Sequence, residues 1–333
     1  MGKIRIAING FGRIGRNLFR LLLDHPSIEV VAINDIADPR TMSHLLKYDS
    51  IHGVLAQDCS HDSQNLIVGQ KKYRYFSSRS IDGLDWKSLE IDIVVESTGR
   101  YKAYDDIYAH ITSGARKVIL SAPAETEQIK TVVLGVNEHI LDQSDLIVSN
   151  ASCTTNNAAP MIRIIDRLCG IEQAYITTVH SYTTDQSLHD QPHRDLRRAR
   201  AASQSIVPTT TGAAKALNAI FPQMEGKIGG SGIRVPVPDG SLTDITCYVR
   251  NEASIDQINR AFQKASEGEM KGILAYTEDP IVSVDIIGNR NSCVFDAQLT
   301  SVIGKMVKVV GWYDNEIGYS SRIIDLIPII HSK

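Results

Sequence analysis

Ile4-Arg5-Ile6-Ala7-Ile8-Asn9-Gly10-Phe11-Gly12-Arg13-Ile14-Gly15-Arg16 opens the chain with alternating isoleucines followed by a G-x-G-x-x-G run. Isoleucine at every second position predicts a strand, and Leu18, Leu21 and Leu22 on one helical face predict a helix directly after the glycines. Val30 to Ile33 reads as a second, buried strand, closed by Asp35 20 residues after Gly15. Strand, glycine turn, helix, strand and a spaced carboxylate form the arrangement that rests a dinucleotide pyrophosphate on a helix N-terminus. Gly10 makes the tight turn in this reading, Gly12 lets the backbone approach the phosphates, and Gly15 permits close helix packing. Asp35 accepts hydrogen bonds from the adenosine ribose and repels a 2'-phosphate, so the expected cofactor is NAD and not NADP.

Working outward, strand-like runs at Ile91 to Val95, Lys117 to Leu120, Thr131 to Val133 and Leu146 to Val148 alternate with a helical stretch near Asp105 to Ser113. That alternation predicts an α/β domain with a doubly wound parallel sheet over roughly the first 150 residues. Beyond Ser152 the pattern changes. A helix over Asn156 to Leu168 precedes strands near Tyr175 to Val179, Ile233 to Val237, Thr243 to Val249 and Ile281 to Ile286. Helices at Ser254 to Ser266 and Ser320 to Ile330 complete an α+β domain with a mostly antiparallel sheet. The long polar stretch Ser181 to Ser203 has no period, and loops of that length are usually functional.

Composition narrows the function. The 333 residues suit two domains. A formal charge of -3, from 35 Lys plus Arg against 38 Asp plus Glu, argues against a nucleic-acid partner held by bulk electrostatics. No apolar run reaches the length of a spanning helix, and the amino terminus lacks the apolar core of a signal peptide, so a cytoplasmic location without a membrane partner is expected. Cys59, Cys153, Cys169, Cys247 and Cys293 are scattered without a Cys-x-x-Cys pair, which predicts neither a disulfide framework nor a metal site.

Cys153 differs from the other four. In Ser152-Cys153-Thr154-Thr155-Asn156 it lies at the start of a helical pattern, where backbone N–H groups and the helix dipole favour thiolate and predict a lowered cysteine pKa. His180 ends a strand and opens the irregular loop, where it can act as the base of a Cys/His pair. The basic run His193-Arg194-Asp195-Leu196-Arg197-Arg198-Ala199-Arg200, with Thr209-Thr210-Thr211-Gly212 and Arg234, supplies group types that bind phosphate oxyanions.

Taken in order, Asn9 to Arg16, Leu45-Leu46-Lys47-Tyr48-Asp49-Ser50, Ser149 to Asn156, Thr211-Gly212-Ala213-Ala214-Lys215 and Trp312-Tyr313-Asp314-Asn315-Glu316 resemble the phosphorylating glyceraldehyde-3-phosphate dehydrogenases over essentially the whole chain. The resemblance implies a Rossmann-type NAD-binding domain over 1–151, a catalytic domain over 152–316, and a C-terminal helix over 317–333 that returns to the first domain. It implies a homotetramer. Cys153 becomes the thiolate and His180 its base; glyceraldehyde 3-phosphate is oxidised through a hemithioacetal and a thioester, and inorganic phosphate releases 1,3-bisphosphoglycerate. The substrate phosphate falls to Thr183, Arg234 and one of Arg197 or Arg198, and inorganic phosphate to Ser152, Thr154, Thr211 and Gly212. For the cofactor the resemblance adds Arg13 and Ile14 at the pyrophosphate, Arg79 near adenine, Ser121 near the nicotinamide side, Asn315 at the carboxamide and Tyr319 beside it. Pro192 is similar to the NAD-preferring members.

Some positions depart from the family pattern. Asn157 stands where many members carry a second cysteine, Ile317 replaces an aromatic residue, and Gly288-Asn289-Arg290-Asn291-Ser292 replaces a Gly-Asp-Pro type turn. Two other readings fit the same residues. Arg200-Ala201-Ala202-Ser203-Gln204-Ser205 resembles erythrose-4-phosphate dehydrogenase, and a reactive Cys153 on this fold would also suit a thiol-based redox sensor.

Overall fold

The computed structural model describes residues 2–333. The chain divides into two compact units. The first runs to Val132 and adds Glu138–Ala151 and Ser320–Lys333; the second comprises Val133–Asn137 and Ser152–Tyr319.

In the first unit, β1 (Ile4–Asn9), α1 (Arg13–Leu22) and β2 (Ile28–Asn34) form the anticipated βαβ motif, with β1 parallel to β2 and Asn9 opposite Asn34. After α2 (Pro39–Lys47) and a small hairpin of β3 (Tyr48–Asp49) and β4 (Gly53–Val54), strands β5 (Cys59–His61), β6 (Asn65–Val68) and β7 (Lys71–Phe76) follow. Then come β8 (Ile93–Glu96), α3 (Tyr104–Thr112), β9 (Lys117–Leu120), β10 (Lys130–Thr131) and β11 (Ile147–Ser149). They build a nine-stranded sheet in the order β10-β11-β9-β8-β1-β2-β7-β6-β5. Pairing is parallel from β10 through β7, and the β7-β6-β5 edge is antiparallel. Ile6, Ala7, Ile8, Val94 and Val95 are fully enclosed, which is why the central strands read as continuous apolar runs. β1 lies between β2 and β8, so the connections leave it in opposite directions and open a crevice at its carboxyl end.

In the second unit, α4 (Cys153–Cys169) is capped by Ser152, whose Oγ accepts the Thr155 N–H at 3.1 Å. The sequence continues through β12 (Ile171–Ser181), β13 (Val207–Thr209), α5 (Ala213–Ile220), β14 (Ile228–Val235), β15 (Ser241–Val249) and α6 (Ile255–Glu267). β16 (Leu274–Thr277), β17 (Cys293–Asp296), β18 (Ser301–Ile303) and β19 (Met306–Tyr313) precede α7 (Ile317–His331). These strands form a mostly antiparallel eight-stranded sheet, β13-β14-β12-β15-β19-β17-β16 with β18 on β19. β12 and β14 are parallel and in register, with His180 opposite Arg234, so two strand ends deliver a base and a cation side by side.

The strand expected at Ile281 to Ile286 is instead a short 3-10 turn over Ser283–Ile286. Asp285 causes the difference: its carboxylate accepts the Val282 N–H at 2.8 Å and its own N–H bonds to the Val282 carbonyl at 3.0 Å, a local closure that competes with sheet pairing. Among the described residues no helix is long and apolar enough to cross a membrane.

Candidate active site

In the first unit, the crevice at the end of β1 holds a cavity of about 300 Å³. Gly10, Gly12, Asp35, Arg79, Ser97 and Thr98 are among the residues that line it. Gly10 has φ +95, and a Cβ there would meet the Thr98 nitrogen at 2.5 Å; a Cβ at Gly15 would meet the Gly10 carbonyl oxygen at 2.2 Å. Only glycine fits either position. Gly12 has open space before it and serves as the N-cap of α1, with no side-chain cap hydrogen bond, so a ligand can approach the helix N-terminus closely. The Asp35 carboxylate is held in place by the N–H of Phe11 at 2.7 Å and the N–H of Ala37 at 2.9 Å. These features fit a dinucleotide: a helix N-terminus opened by glycines for the pyrophosphate and a fixed carboxylate for a ribose. The Arg13 guanidinium is tied to Asp49 at 2.6 Å, so the main chain of Arg13 and Ile14 is what faces the α1 N-terminus. Ser121 donates its N–H to the Glu96 carbonyl at 2.9 Å, at the end of β9.

In the second unit, α4 begins at Cys153 itself, directly after its cap Ser152, and Ala151 before the cap sits at φ 55. A non-glycine residue in that region is a strained turn of the sort often found at functional sites. Cys153 Sγ lies 3.4 Å from His180 Nε2. On the far side of the imidazole, Nδ1 lies 2.7 Å from the Ser181 carbonyl oxygen and 2.9 Å from Arg234 Nη1. Arg234 Nη1 also donates to Ser181 O and to Thr183 Oγ1, both at 3.1 Å. The Thr183 hydroxyl donates to Asp185, whose carboxylate pairs with Arg198. Arg198 belongs to this cluster, while Arg197 is exposed.

The lowered cysteine pKa expected from the helix N-terminus is not what this environment produces. Burial pushes the Cys153 thiol up, although Arg234 and the N–H and hydroxyl of Thr154 pull the other way. Burial and the neighbouring Arg234 push His180 down to about 3.

Around this core, the Thr154 hydroxyl lies 2.9 Å from Tyr313 Oη, which is also 2.9 Å from Thr178 Oγ1. Gly212 is the N-cap of α5, and Thr211 just before it accepts the Ala213 N–H on Oγ1 at 3.2 Å. Asn315 Oδ1 accepts the hydroxyls of Ser181 at 2.9 Å and Ser241 at 2.8 Å, which turns its NH2 group away from both serines. Tyr319 is buried in the first turn of α7. Asn157 is fully buried and its Nδ2 donates to the carbonyls of Ser292 at 3.3 Å and Trp312 at 3.2 Å, a tie between α4 and the sheet that a thiol would make weakly.

Comparison with known proteins shows the family of the chain. The family model for the glyceraldehyde 3-phosphate dehydrogenase NAD binding domain matches residues 4–104, and that for the C-terminal domain matches residues 152–315. The chain belongs to the glyceraldehyde-3-phosphate dehydrogenase family. It is 52% identical over 333 residues to glyceraldehyde-3-phosphate dehydrogenase 2 of Streptomyces avermitilis, covering 99% of each chain. It is 51% identical over 332 residues to the enzyme of Geobacillus stearothermophilus and 48% identical to glyceraldehyde-3-phosphate dehydrogenase 1 of Bacillus subtilis, again with 99% of each chain covered. The family's NAD-dependent glycolytic oxidoreductase activity is that of this chain, and the erythrose-phosphate and redox-sensor readings are not favoured.

Several members of these sites escape a reading of the sequence. Asp185 is the clearest: a single carboxylate two residues after Thr183, it organises the loop arginines through space, and only its position in a basic loop hints at that. Tyr313, Ser181 and Ser241 act through strand register, with Ser241 opposite Tyr313 across β15 and β19.

Proposed function

We propose that Cys153 attacks the aldehyde carbon of D-glyceraldehyde 3-phosphate while its thiol proton passes by way of His180 Nε2 to the aldehyde oxygen, giving a hemithioacetal and returning His180 to its neutral form. The carrying observation is the 3.4 Å approach of Sγ to Nε2, with the other ring nitrogen held against Ser181 and Arg234. Bound NAD, held at the α1 N-terminus and Asp35, would supply the hydride acceptor for the hemithioacetal carbon. His180 then takes the hydroxyl proton as the C–O bond becomes a carbonyl, leaving a thioester on Cys153. An inorganic phosphate oxygen attacks that carbonyl, the C–S bond breaks, and the thiolate leaves as 1,3-bisphosphoglycerate forms. A neutral imidazole suits the role of base, and burial keeps it neutral across the physiological range.

Arg234, Thr183 and Arg198 hold the substrate phosphate in this reading, since they converge on one spot and two of them carry positive charge. Ser152, Thr154, Thr211 and Gly212 serve inorganic phosphate. In the first unit Gly10, Gly12, Arg13, Ile14 and Gly15 hold the pyrophosphate through the main chain, Asp35 takes the ribose, Arg79 the adenine side and Ser121 the nicotinamide side. Asn315 and Tyr319 serve the carboxamide. Residues 1–151 thus act as the cofactor domain and 152–316 as the catalytic domain, with 317–333 returning to the first.

The active species we infer is a cytoplasmic homotetramer. Five unpaired cysteines suit a reducing compartment. The outer face of the second sheet exposes Tyr175, Tyr248 and Met306, a set that favours association. Light scattering on the purified chain, read against 36.7 kDa for one copy, tests the tetramer.

The test of the chemistry is NADH formation from glyceraldehyde 3-phosphate, NAD and inorganic phosphate, repeated without phosphate, with erythrose 4-phosphate, and with Cys153→Ser. Rapid phosphate-dependent turnover of the triose, absent in Cys153→Ser while NAD still binds, is expected. Turnover retained by Cys153→Ser would sink the mechanism.

A further inference from the structure

Beneath the dinucleotide cavity runs a chain of buried polar groups that the proposed chemistry does not use. Glu96, at the end of β8, His110, on α3, and Trp86 are fully enclosed. Trp86 Nε1 lies 3.0 Å from His110 Nδ1, and His110 Nε2 lies 3.1 Å from Glu96 Oε2. An indole N–H can only donate, so Nδ1 accepts and the imidazole carries its proton on Nε2, from which it donates to Glu96. The 3.4 Å approach of Asn9 Nδ2 to that same Nε2 is then no hydrogen bond. Glu96 Oε2 also accepts from Asn9 Nδ2 at 2.5 Å, and Oε1 accepts from the Thr98 N–H at 2.9 Å and the Thr98 hydroxyl. Four donors converge on two oxygens, so in this cluster Glu96 serves only as an acceptor.

The polarity continues away from Glu96. Asn9 has given its NH2 to the carboxylate, so its Oδ1 faces the other way and accepts from Asn34 Nδ2 at 2.7 Å. Asn34 Oδ1 in turn accepts the Ser78 N–H at 2.9 Å, and Asn34 Nδ2 also reaches Ser78 O at 3.1 Å. Asn9, Asn34, Ser78 and Thr98 all line the cavity, and Arg79 and Ser80, which follow Ser78, line it too.

We propose that Glu96 is a positioning residue for NAD: an acceptor-only group that sets the direction of the Asn9–Asn34 amide relay and so fixes the Ser78–Ser80 loop and Thr98 at the cavity wall. The proposal rests on reading this cavity as the cofactor site. Its force lies in direction. Glu96→Gln puts an NH2 either at the Oε1 position, where it faces the Thr98 N–H at the cavity wall, or at the Oε2 position, where it faces the NH2 of Asn9 and the mismatch enters the relay. Turning Asn9 relieves that clash only by setting its NH2 against the NH2 of Asn34. Turning Asn34 in its place sets NH2 against the Ser78 N–H, so the mismatch moves along the relay until it reaches the loop. Unpaired buried donors are costly, and of the three residues Asn9 and Asn34 are fixed in β1 and β2 whereas Ser78 lies outside the strands.

The same logic predicts a rescue. Asn9→Asp supplies two acceptor oxygens, one for the NH2 that Glu96→Gln introduces and one for Asn34, restoring the direction at Asn34 and Ser78. The introduced NH2 also faces His110, which must move its proton to Nδ1; Trp86→Phe removes the indole N–H that opposes this. The experiment therefore uses the full chain carrying Trp86→Phe as parent, alone, with Glu96→Gln, and with Asn9→Asp/Glu96→Gln. NAD affinity is measured by titration calorimetry, and KM for NAD and for glyceraldehyde 3-phosphate by NADH formation.

Trp86→Phe should bind NAD within about twofold of the unmodified chain, because the Glu96 relay is intact. Adding Glu96→Gln should raise Kd and KM for NAD by about tenfold or more and leave KM for the triose phosphate within about twofold. Adding Asn9→Asp should recover most of that loss. A third variant that binds NAD no better than the second, or does not fold, overturns the proposal, as does a parent that has already lost as much affinity as the Glu96→Gln chain. Asp35→Gly, assayed alongside, separates this from failure of the cavity assignment: if it changes neither NAD affinity nor the choice between NAD and NADP, the cavity is not the cofactor site.

Discussion

Arg197 and Arg198 are neighbours in sequence with opposite surroundings, and exchanging each for alanine measures the substrate-phosphate site directly. The Arg198 side chain is 18% exposed, paired with Asp185 and 3.7 Å from Asp195, and through Asp185 and Thr183 it is joined to Arg234. Arg197 is exposed and is engaged through its backbone, the N–H lying 2.9 Å from Asp195 Oδ1. A hydrogen bond to a charged partner contributes about 1.5 to 3 kcal/mol, and Arg198 must trade part of its contact with Asp185 for the phosphate, so the lower half of that range applies. About 1.5 to 2 kcal/mol corresponds to roughly a ten- to thirtyfold rise in KM for glyceraldehyde 3-phosphate in Arg198→Ala. Asp185, left without its partner, repels the phosphate and acts in the same direction. Arg197→Ala should change KM less than about twofold, as a solvated surface charge does. The assay is initial NADH formation against triose phosphate at saturating NAD and inorganic phosphate, repeated with glyceraldehyde, which lacks the phosphate and should show no Arg198 penalty. Equal effects of the two alanines, or an Arg198 penalty that persists with glyceraldehyde, would refute the assignment.

His180→Asn should leave a slow enzyme whose Cys153 reacts sluggishly with alkylating agents. It should also flatten the acid side of the stability profile: the folded imidazole is held down to about 3, so the unfolded chain binds the extra proton first and stability falls as pH drops from about 6.5 toward 3. Thermal melts across that window check the sign, and an unchanged slope in the variant would count against a neutral buried His180. Asp35→Gly should relax discrimination against NADP, seen as a converging ratio of kcat/KM for the two cofactors; an unmoved ratio places the discrimination elsewhere. Burial pushes the Asp49 carboxyl up, but Arg13 and the N–H groups of His52 and Ile51 outweigh it and leave it at about 2. That depression is worth about 2.5 kcal/mol above pH 4 and is lost as pH falls through 2, so Asp49→Asn should melt several degrees lower at neutral pH and converge with the parent in acid. A pH-independent difference would rule this out.

The first unit was largely legible because its signals are local. Alternation in Ile4-Arg5-Ile6-Ala7-Ile8 and the glycine spacing depend on neighbours a few residues apart, and β1, α1 and β2 follow them closely. The second unit hid more. Its sheet pairs strands far apart in sequence, so β17 and the long β19 were not anticipated, while Val282-Ser283-Val284-Asp285-Ile286 carries strand-like alternation that Asp285 converts into a turn. Cys153 and His180 were visible as residue types at element ends, but what brings them together is the β12–β14 register and the start of α4, which no spacing reveals. Their protonation was less legible still. A helix N-terminus favours thiolate, and only the packed surroundings show burial overcoming it.

Both units use the same device to hold polar groups in place. An asparagine amide can point either way unless its neighbours differ in kind, and in each unit they do. Around Asn315 two hydroxyls from β12 and β15 claim the oxygen, so the NH2 is directed by strands that are themselves fixed in an eight-stranded sheet. Around Asn9 a carboxylate claims the NH2, and the choice passes on to Asn34 and the Ser78 backbone. Amides oriented before any ligand arrives need no reorganisation on binding, which lowers the cost of association and, where charge develops, of the chemical step. Asparagine suits these positions because it carries a donor and an acceptor on a short stem, whereas aspartate could only accept. A single buried acceptor such as Glu96 can therefore set the direction of groups it never touches, which is why the relay should fail by inversion of polarity and not merely by loss of a contact.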